Sequence, residues 1–213
     1  PFMEKLIKER KLNLFVLSSS LYVSFQLFAN ILSTKIAILP YFNLAIDGGT
    51  VIYPLTFTLR DFVHKTHGKK DARQVIIIAA ALNAVMFGLF WLVGKMTPDP
   101  TWQFQRAYEQ ILLPVGRIVL ASIIAQVISE LIDTEIFSRV YKKTSDAVAV
   151  FSSNSISLVV DSFIFSFIAF LGVLPFATVM QIFVANILVK FVISTLSVPT
   201  IKLIPRTAKF EDI

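Results

Sequence analysis

The chain has 213 residues, 55% of them hydrophobic and only 16% charged, with twenty phenylalanines and a formal net charge of +6. A water-soluble domain of this size needs a far larger charged surface, so composition alone points to a membrane protein. There is no cysteine, which excludes disulfides, thiolate metal sites and cysteine nucleophiles.

About 20 helical residues cross the ~30 Å hydrocarbon layer of a bilayer. By that measure the expected fold class is all-α, a polytopic membrane protein with six transmembrane helices in one domain covering residues 1–213. The spans are expected near 12–39, 48–63, 72–93, 114–138, 147–174 and 176–203. The opening residues PFMEKLIKERK are basic and amphipathic, and no small-residue cleavage site follows the first apolar run. A retained span, not a signal peptide, is expected there.

In chain order, the first span carries Gln26, Asn30 and Ser33 at i, i+4, i+7, and it stops at Pro40. The second is short, follows the break Asp47-Gly48-Gly49, and holds Arg60 beside Asp61. The third is the most evenly apolar. The loop Gly94–Leu112 contains Trp102 and Tyr108, residues suited to a membrane interface. The fourth, entered through Pro114, stacks Gln126, Glu130 and Asp133 on one helical face, with Ser122 and Ser129 near the same stripe. The fifth places Asn154, Ser157 and Asp161 at i, i+3, i+7. Beyond Pro175, the sixth has Asn186 and Lys190 at i, i+4.

Basic residues set the orientation. Fourteen of them precede the first span, follow the last, or lie between spans two and three and between four and five, against Lys35, Lys95 and Arg106 on the other side. The positive-inside rule then puts both termini in the cytoplasm. The net charge is a matter of membrane orientation, and no nucleic-acid partner is implied.

An acid at the centre of a membrane helix costs roughly 2.5–3.5 kcal/mol on insertion scales, so such residues face a polar cavity or a cation. Glu130 and Asp133 on one face therefore suggest a transport site; the competing reading is a helix pair held by buried polar contacts. Lys190, near mid-span, requires an anionic partner, and Asp161, Glu130 and Asp133 are the candidates. Arg60 is close enough to the cytoplasmic loop to reach water. Arg117 lies nearly opposite the Glu130–Asp133 face, so helical geometry alone does not bring it into their cavity. Tyr22, Phe25, Phe57, Phe163 and Phe165 could stack on a planar ligand, and each is equally suited to packing or lipid contact.

Several stretches together resemble one family. They are Asn30 in the first span; YPLTFTLRDFVHKTHGKKDARQVI, with Asp61, Gly68 and Arg73; GRIVLASIIAQVISELIDTEIFSRV, with Arg117, Asp133 and Phe137; DSFIFSFIAF, with Asp161; and VKFVISTLSVPT, with Lys190. In order and spacing, from Phe28 to about Pro205, the chain is similar to the integral-membrane queuosine precursor transporters, also described as vitamin uptake transporters. Members of that family often have Gln where this chain has Glu130. The resemblance implies uptake of a 7-deazaguanine such as preQ0 or preQ1. The substrate-binding set expected on residues and resemblance together is Asn30, Asp61, Arg117, Glu130, Asp133, Asn154, Asp161 and Lys190. Among these, Asp161 is the acid expected to read the ligand. A carboxylate accepts two N–H groups of a guanine-like edge at once, and the aminomethyl cation of preQ1 favours a second carboxylate.

Other classes weigh less. The substrate-binding subunit of an energy-coupling vitamin uptake complex also fits six spans, but the small-residue docking face such subunits often show is missing around Ala29, flanked at four residues by Phe25 and Ser33. The only histidines, His64 and His67, lie in a cytoplasmic loop, which argues against an intramembrane Ser–His or His–zinc enzyme. A purely structural protein leaves the intramembrane charges unexplained. No enzyme activity, metal or cofactor is expected; the partners are the lipid bilayer and a small-molecule substrate, and a homodimer stays open.

Overall fold

The computed structural model describes residues 13–141 and 146–202, with the side chains of Asp61, Glu130, Asp133 and Asn154 outside the described set. Seven α-helices and one two-stranded hairpin make up these segments. The helices are α1 (Leu14–Leu32), α2 (Tyr53–His67), α3 (Lys69–Gly94), α4 (Gln105–Leu112), α5 (Val115–Tyr141), α6 (Asp146–Phe170) and α7 (Phe176–Lys202). The strands β1 (Ile36–Leu39) and β2 (Leu44–Asp47) pair antiparallel, with Ile36 opposite Asp47 and Leu39 opposite Leu44.

Four stretches are long and apolar enough to cross a membrane: Leu14–Leu32, Lys70–Gly94, Gln105–Ser129 and Phe176–Ile193. Ser155–Phe170 is a shorter apolar helix. Outward faces agree with that reading. Ile77, Leu82, Val85 and Leu89 on α3 and Val184, Leu188 and Val192 on α7 are exposed in a chain that buries serines and asparagines instead. A bilayer inverts the usual solvent rule, since lipid takes apolar side chains and polar ones must find partners inside.

The first expected span departs from the sequence reading. Helix α1 starts at Asn13, whose Oδ1 accepts from the amides of Phe15 (3.0 Å) and Val16 (3.3 Å). It ends at Leu32, because the Ser33 and Thr34 hydroxyls bond back to Ala29 O (2.9 Å) and Ile31 O (2.8 Å), offering the last carbonyls partners other than the next turn. The segment Ile36-Ala37-Ile38, with β-branched residues on either side of Ala37, then extends as β1, and the loop Pro40–Asn43 turns it with Tyr41 and Asn43 at positive φ (69° and 51°). The second expected span likewise begins as a 3₁₀ turn, Gly48–Val51, before α2. What reads as the end of one crossing and the start of another is a hairpin folded back into the bundle.

Non-helical backbone at membrane depth needs protein cover. Gln181 on α7 supplies some, its Oε1 accepting from Ala45 N at 3.0 Å. Buried Ala45 also joins Ile118, Ala121, Ala169, Phe170, Val179 and Ile182 in a cluster linking the hairpin to α5, α6 and α7. A second cluster, Tyr22, Val63, Ala72, Val75 and Ala79, joins α1, α2 and α3. The α2–α3 corner turns on Gly68 at φ 91°, a value glycine adopts without strain.

Candidate functional site

Between these two apolar clusters runs a polar seam. Helix α1 contributes Tyr22, Gln26 and Asn30, spaced by four so that they share a face, with Ser33 at its C-terminal cap. Tyr22 Oη accepts from Gln26 Nε2 and Gln126 Nε2, both at 3.2 Å. Asn30 Nδ2 donates to Asn83 Oδ1 (2.6 Å) and Ser122 Oγ donates to Asn30 Oδ1 (2.8 Å). One side chain thereby ties α1 to α3 and α5.

The seam widens into a cavity with about 20 Å³ open to the centre of a water molecule, enough for one or two waters. Asn30, Asp161 and Lys190 line it, brought together from α1, α6 and α7. Lys190 is 2% exposed and Asp161 4%. Lys190 Nζ donates to Asp161 Oδ2 at 2.6 Å and to Ser162 Oγ at 3.2 Å, and sits 5.1 Å from the centre of the Tyr53 ring. Asp161 Oδ1 accepts no hydrogen bond among the described residues. Tyr53 and Phe165 give the cavity two aromatic walls.

A second acid stands in the same wall. Asp47, at the end of β2, is 1% exposed; its Oδ1 accepts from Ser33 Oγ (2.7 Å) and its Oδ2 from Thr50 Oγ1 (2.8 Å). Thr50 Oγ1 also lies 2.5 Å from Asn186 Oδ1, a second acceptor for its single proton, whereas Asn186 Nδ2 is buried without a partner among the described residues. The hairpin can come this close to α1 because residues 48 and 49 are glycines. A Cβ on Gly49 would collide with Ser33 Oγ and the Ala29 carbonyl, and one on Gly48 would sit 2.5 Å from Leu32 O.

Of the residues expected from sequence, Arg117 belongs elsewhere. Its Nε donates to Ile168 O (2.6 Å) and its Nη2 to Leu171 O (2.5 Å), closing the carbonyl end of α6 at an exposed position. A fork of rigid N–H donors suits two adjacent orphan carbonyls, so Arg117 is a helix cap and not part of the cavity. The side chains of Asp61, Glu130, Asp133 and Asn154 lie outside the described residues. Asp47, Thr50, Tyr53 and the free amide of Asn186 were not among the expected site residues. The sequence does carry one signal for them: an Asp-Gly-Gly interruption between apolar segments, the pattern of a broken membrane element at a binding site.

Residues 47–204, most of the chain, match the family model described as "Putative vitamin uptake transporter". The chain belongs to this family. It is a transporter family, so the chain is a multi-pass membrane transporter and not an enzyme. A "Probable queuosine precursor transporter" of Bacillus subtilis (strain 168) is 28% identical over 164 residues, which are 74% of this chain and 71% of that protein. One of the same description from Haemophilus influenzae is 29% identical over 125 residues, 57% of this chain and 51% of its own length. No solved structure matches. In this chain the matched region begins at Asp47 and takes in Asp161, Asn186 and Lys190, while Asn30 and Ser33 precede it.

Proposed function

We propose that the chain imports a queuosine precursor, a 7-deazaguanine such as preQ0 or preQ1, and that the cavity between α1, the hairpin, α6 and α7 is its binding site. The observation that carries this reading is a membrane-buried cavity whose unused hydrogen-bonding atoms are complementary to a guanine-like edge. Asp161 Oδ1 is an open acceptor for the ring N–H and exocyclic amine, and the unpartnered Asn186 Nδ2 is a donor for the carbonyl oxygen. Tyr53 and Phe165 offer faces for the flat ring. The names of the two relatives point to the same substrate class. In such a pocket a base lacking one of these groups leaves a buried atom unpaired, which is the physical source of discrimination.

In this reading α2 and α6 complete a six-element bundle with the four long spans, and both termini face the cytoplasm by the distribution of basic residues. Equilibrium binding of purified protein to preQ0, preQ1, guanine and a panel of vitamins tests the substrate class. The deazaguanines should bind, and Asn186→Ala should weaken them by about 1–3 kcal/mol, roughly 5- to 150-fold, by removing the donor for the ligand carbonyl. The same change should spare stability, since Nδ2 has no partner among the described residues and Thr50 keeps Asp47 as an acceptor. Binding of a vitamin with no binding of either deazaguanine would refute the proposal.

A further inference from the structure

We propose that Asp47 seats a positive charge carried by the substrate, so that the site takes an ammonium-bearing base in preference to its neutral counterpart. The inference rests on the deazaguanine reading above and names the member of that class the site selects.

Among the described residues, the charged side chains lining the cavity are Asp47, Asp161 and Lys190. The lysine is committed to Asp161 at 2.6 Å, so that pair is self-neutralising. Asp47 is as deeply buried and has no ion-pair partner among the described residues. Its donors are two hydroxyls, and each hydroxyl has a single proton with two acceptors in reach. Ser33 Oγ faces both Asp47 Oδ1 (2.7 Å) and Ala29 O (2.9 Å); Thr50 Oγ1 faces both Asp47 Oδ2 (2.8 Å) and Asn186 Oδ1 (2.5 Å). The carboxyl group is therefore under-supplied with protons as well as unpaired, a costly arrangement inside a membrane domain.

An ordinary structural duty does not explain it. Asp47 occupies the N-cap position of the 3₁₀ turn Gly48–Val51, where an aspartate usually accepts from backbone amides, yet its side chain makes no capping bond. Both of its oxygens are turned to side-chain hydroxyls in the cavity wall instead. A primary ammonium supplies three donors and one positive charge, which the two Asp47 oxygens and the lone pairs of Ser33 and Thr50 can receive together.

Placement supports the same conclusion. Thr50 links Asp47 to Asn186, and Lys190 links Asp161 to α7 one turn further on, about 6 Å along the helix axis. The two acids are thus reached from successive turns of α7 in the wall of one cavity. A 7-deazaguanine with an aminomethyl group has its donor edge on one ring and its cation on the other, so one ligand can address both acids.

The test compares preQ1, which carries the aminomethyl cation, with preQ0, which carries a neutral nitrile there, on the purified full chain. Binding is measured in sodium and in choline chloride, with melting temperature recorded for each protein. Wild type should bind preQ1 tighter by about tenfold or more, the scale of one charge-assisted hydrogen bond. Asp47→Asn should erase that ratio while keeping most of the preQ0 affinity, and Ser33→Ala, which leaves the charge in place but removes one acceptor for the ammonium, should reduce it and still leave preQ1 the tighter ligand. Equal affinities in wild type overturn the inference even if Asp47→Asn does not fold. So does an equal loss for both ligands in a folded Asp47→Asn protein. Equal binding of both ligands that requires sodium would assign the charge at Asp47 to the ion and also overturn it. If both deazaguanines bind alike, only this inference fails; if neither binds, the transport reading falls and takes this one with it.

Discussion

Lys190→Met is the perturbation with the sharpest structural forecast. The substitution keeps an unbranched side chain but deletes the ammonium that bonds Asp161 at 2.6 Å and Ser162 at 3.2 Å. Both members of the pair are almost fully enclosed, with side chains 3% and 5% exposed, so the one or two waters the cavity can hold are a poor replacement for the ammonium. Removing one partner of a buried pair costs about 3–5 kcal/mol, because the other charge is left without compensation. At roughly 2–4 °C per kcal/mol for a chain of this size, even the lower figure lowers Tm by roughly 6–12 °C. Asp161→Asn should do similar damage from the other side, and the double variant should recover much of it, since no lone buried charge remains. Thermal unfolding of the four proteins in one detergent gives the cycle, with an expected coupling of about 2–3 kcal/mol. An unshifted Tm in Lys190→Met, or a double variant as damaged as the sum of the singles, would refute the reasoning.

Four further outcomes follow from named contacts. Arg117→Gln loses the guanidinium fork on Ile168 and Leu171, so it should lower Tm while ligand affinity of the folded fraction stays at the wild-type value. Asn30→Ala strands the Asn83 and Ser122 partners in the interior and should cost about 2–6 kcal/mol in thermal unfolding, from two buried groups at about 1–3 kcal/mol each. Gly49→Ala should push the hairpin off α1 and lower both Tm and binding, whereas Gly88→Ala, where an added Cβ meets nothing within 4 Å, should be neutral in both assays. Because the chain has no cysteine, single variants Lys70→Cys and Lys95→Cys report sidedness cleanly: an impermeant thiol reagent applied outside intact cells should label the second and spare the first.

The helices could be read from sequence because apolar length is the dominant signal in a bilayer, and the third, fourth, fifth and sixth expected spans fall within a few residues of α3, α5, α6 and α7. The hairpin was harder. Ile36-Ala37-Ile38-Leu39 is as apolar as any membrane helix, and the difference lies in Ser33 and Thr34 closing the last turn, a local competition that hydropathy does not register. Lys190 required an acid, and helical periodicity left three in reach; the packing of α6 against α7 brings Asp161 to it. An arginine within a span suggests a ligand contact, whereas Arg117 meets two carbonyls at the C-terminal end of α6, Ile168 in its last turn and Leu171 just beyond it. Asp47 escaped because acids beside paired glycines usually mark turns at the surface. Only the folded hairpin shows that this one is turned inward.

The cavity's small size has a consequence for how binding is measured. On the reading proposed above, a site with room for one or two waters would admit a bicyclic base only after its walls separate, and the binding-competent form would be a minority species. An apparent dissociation constant is the intrinsic one divided by the competent fraction. If about one molecule in a hundred is open, affinity looks about a hundredfold weaker than the contacts alone would give. Variants that loosen the hairpin without touching cavity atoms should then bind more tightly while melting earlier. Affinity and thermal stability would move in opposite directions in such variants, and in the same direction at residues that line the cavity, such as Gly49, Asp161 and Lys190.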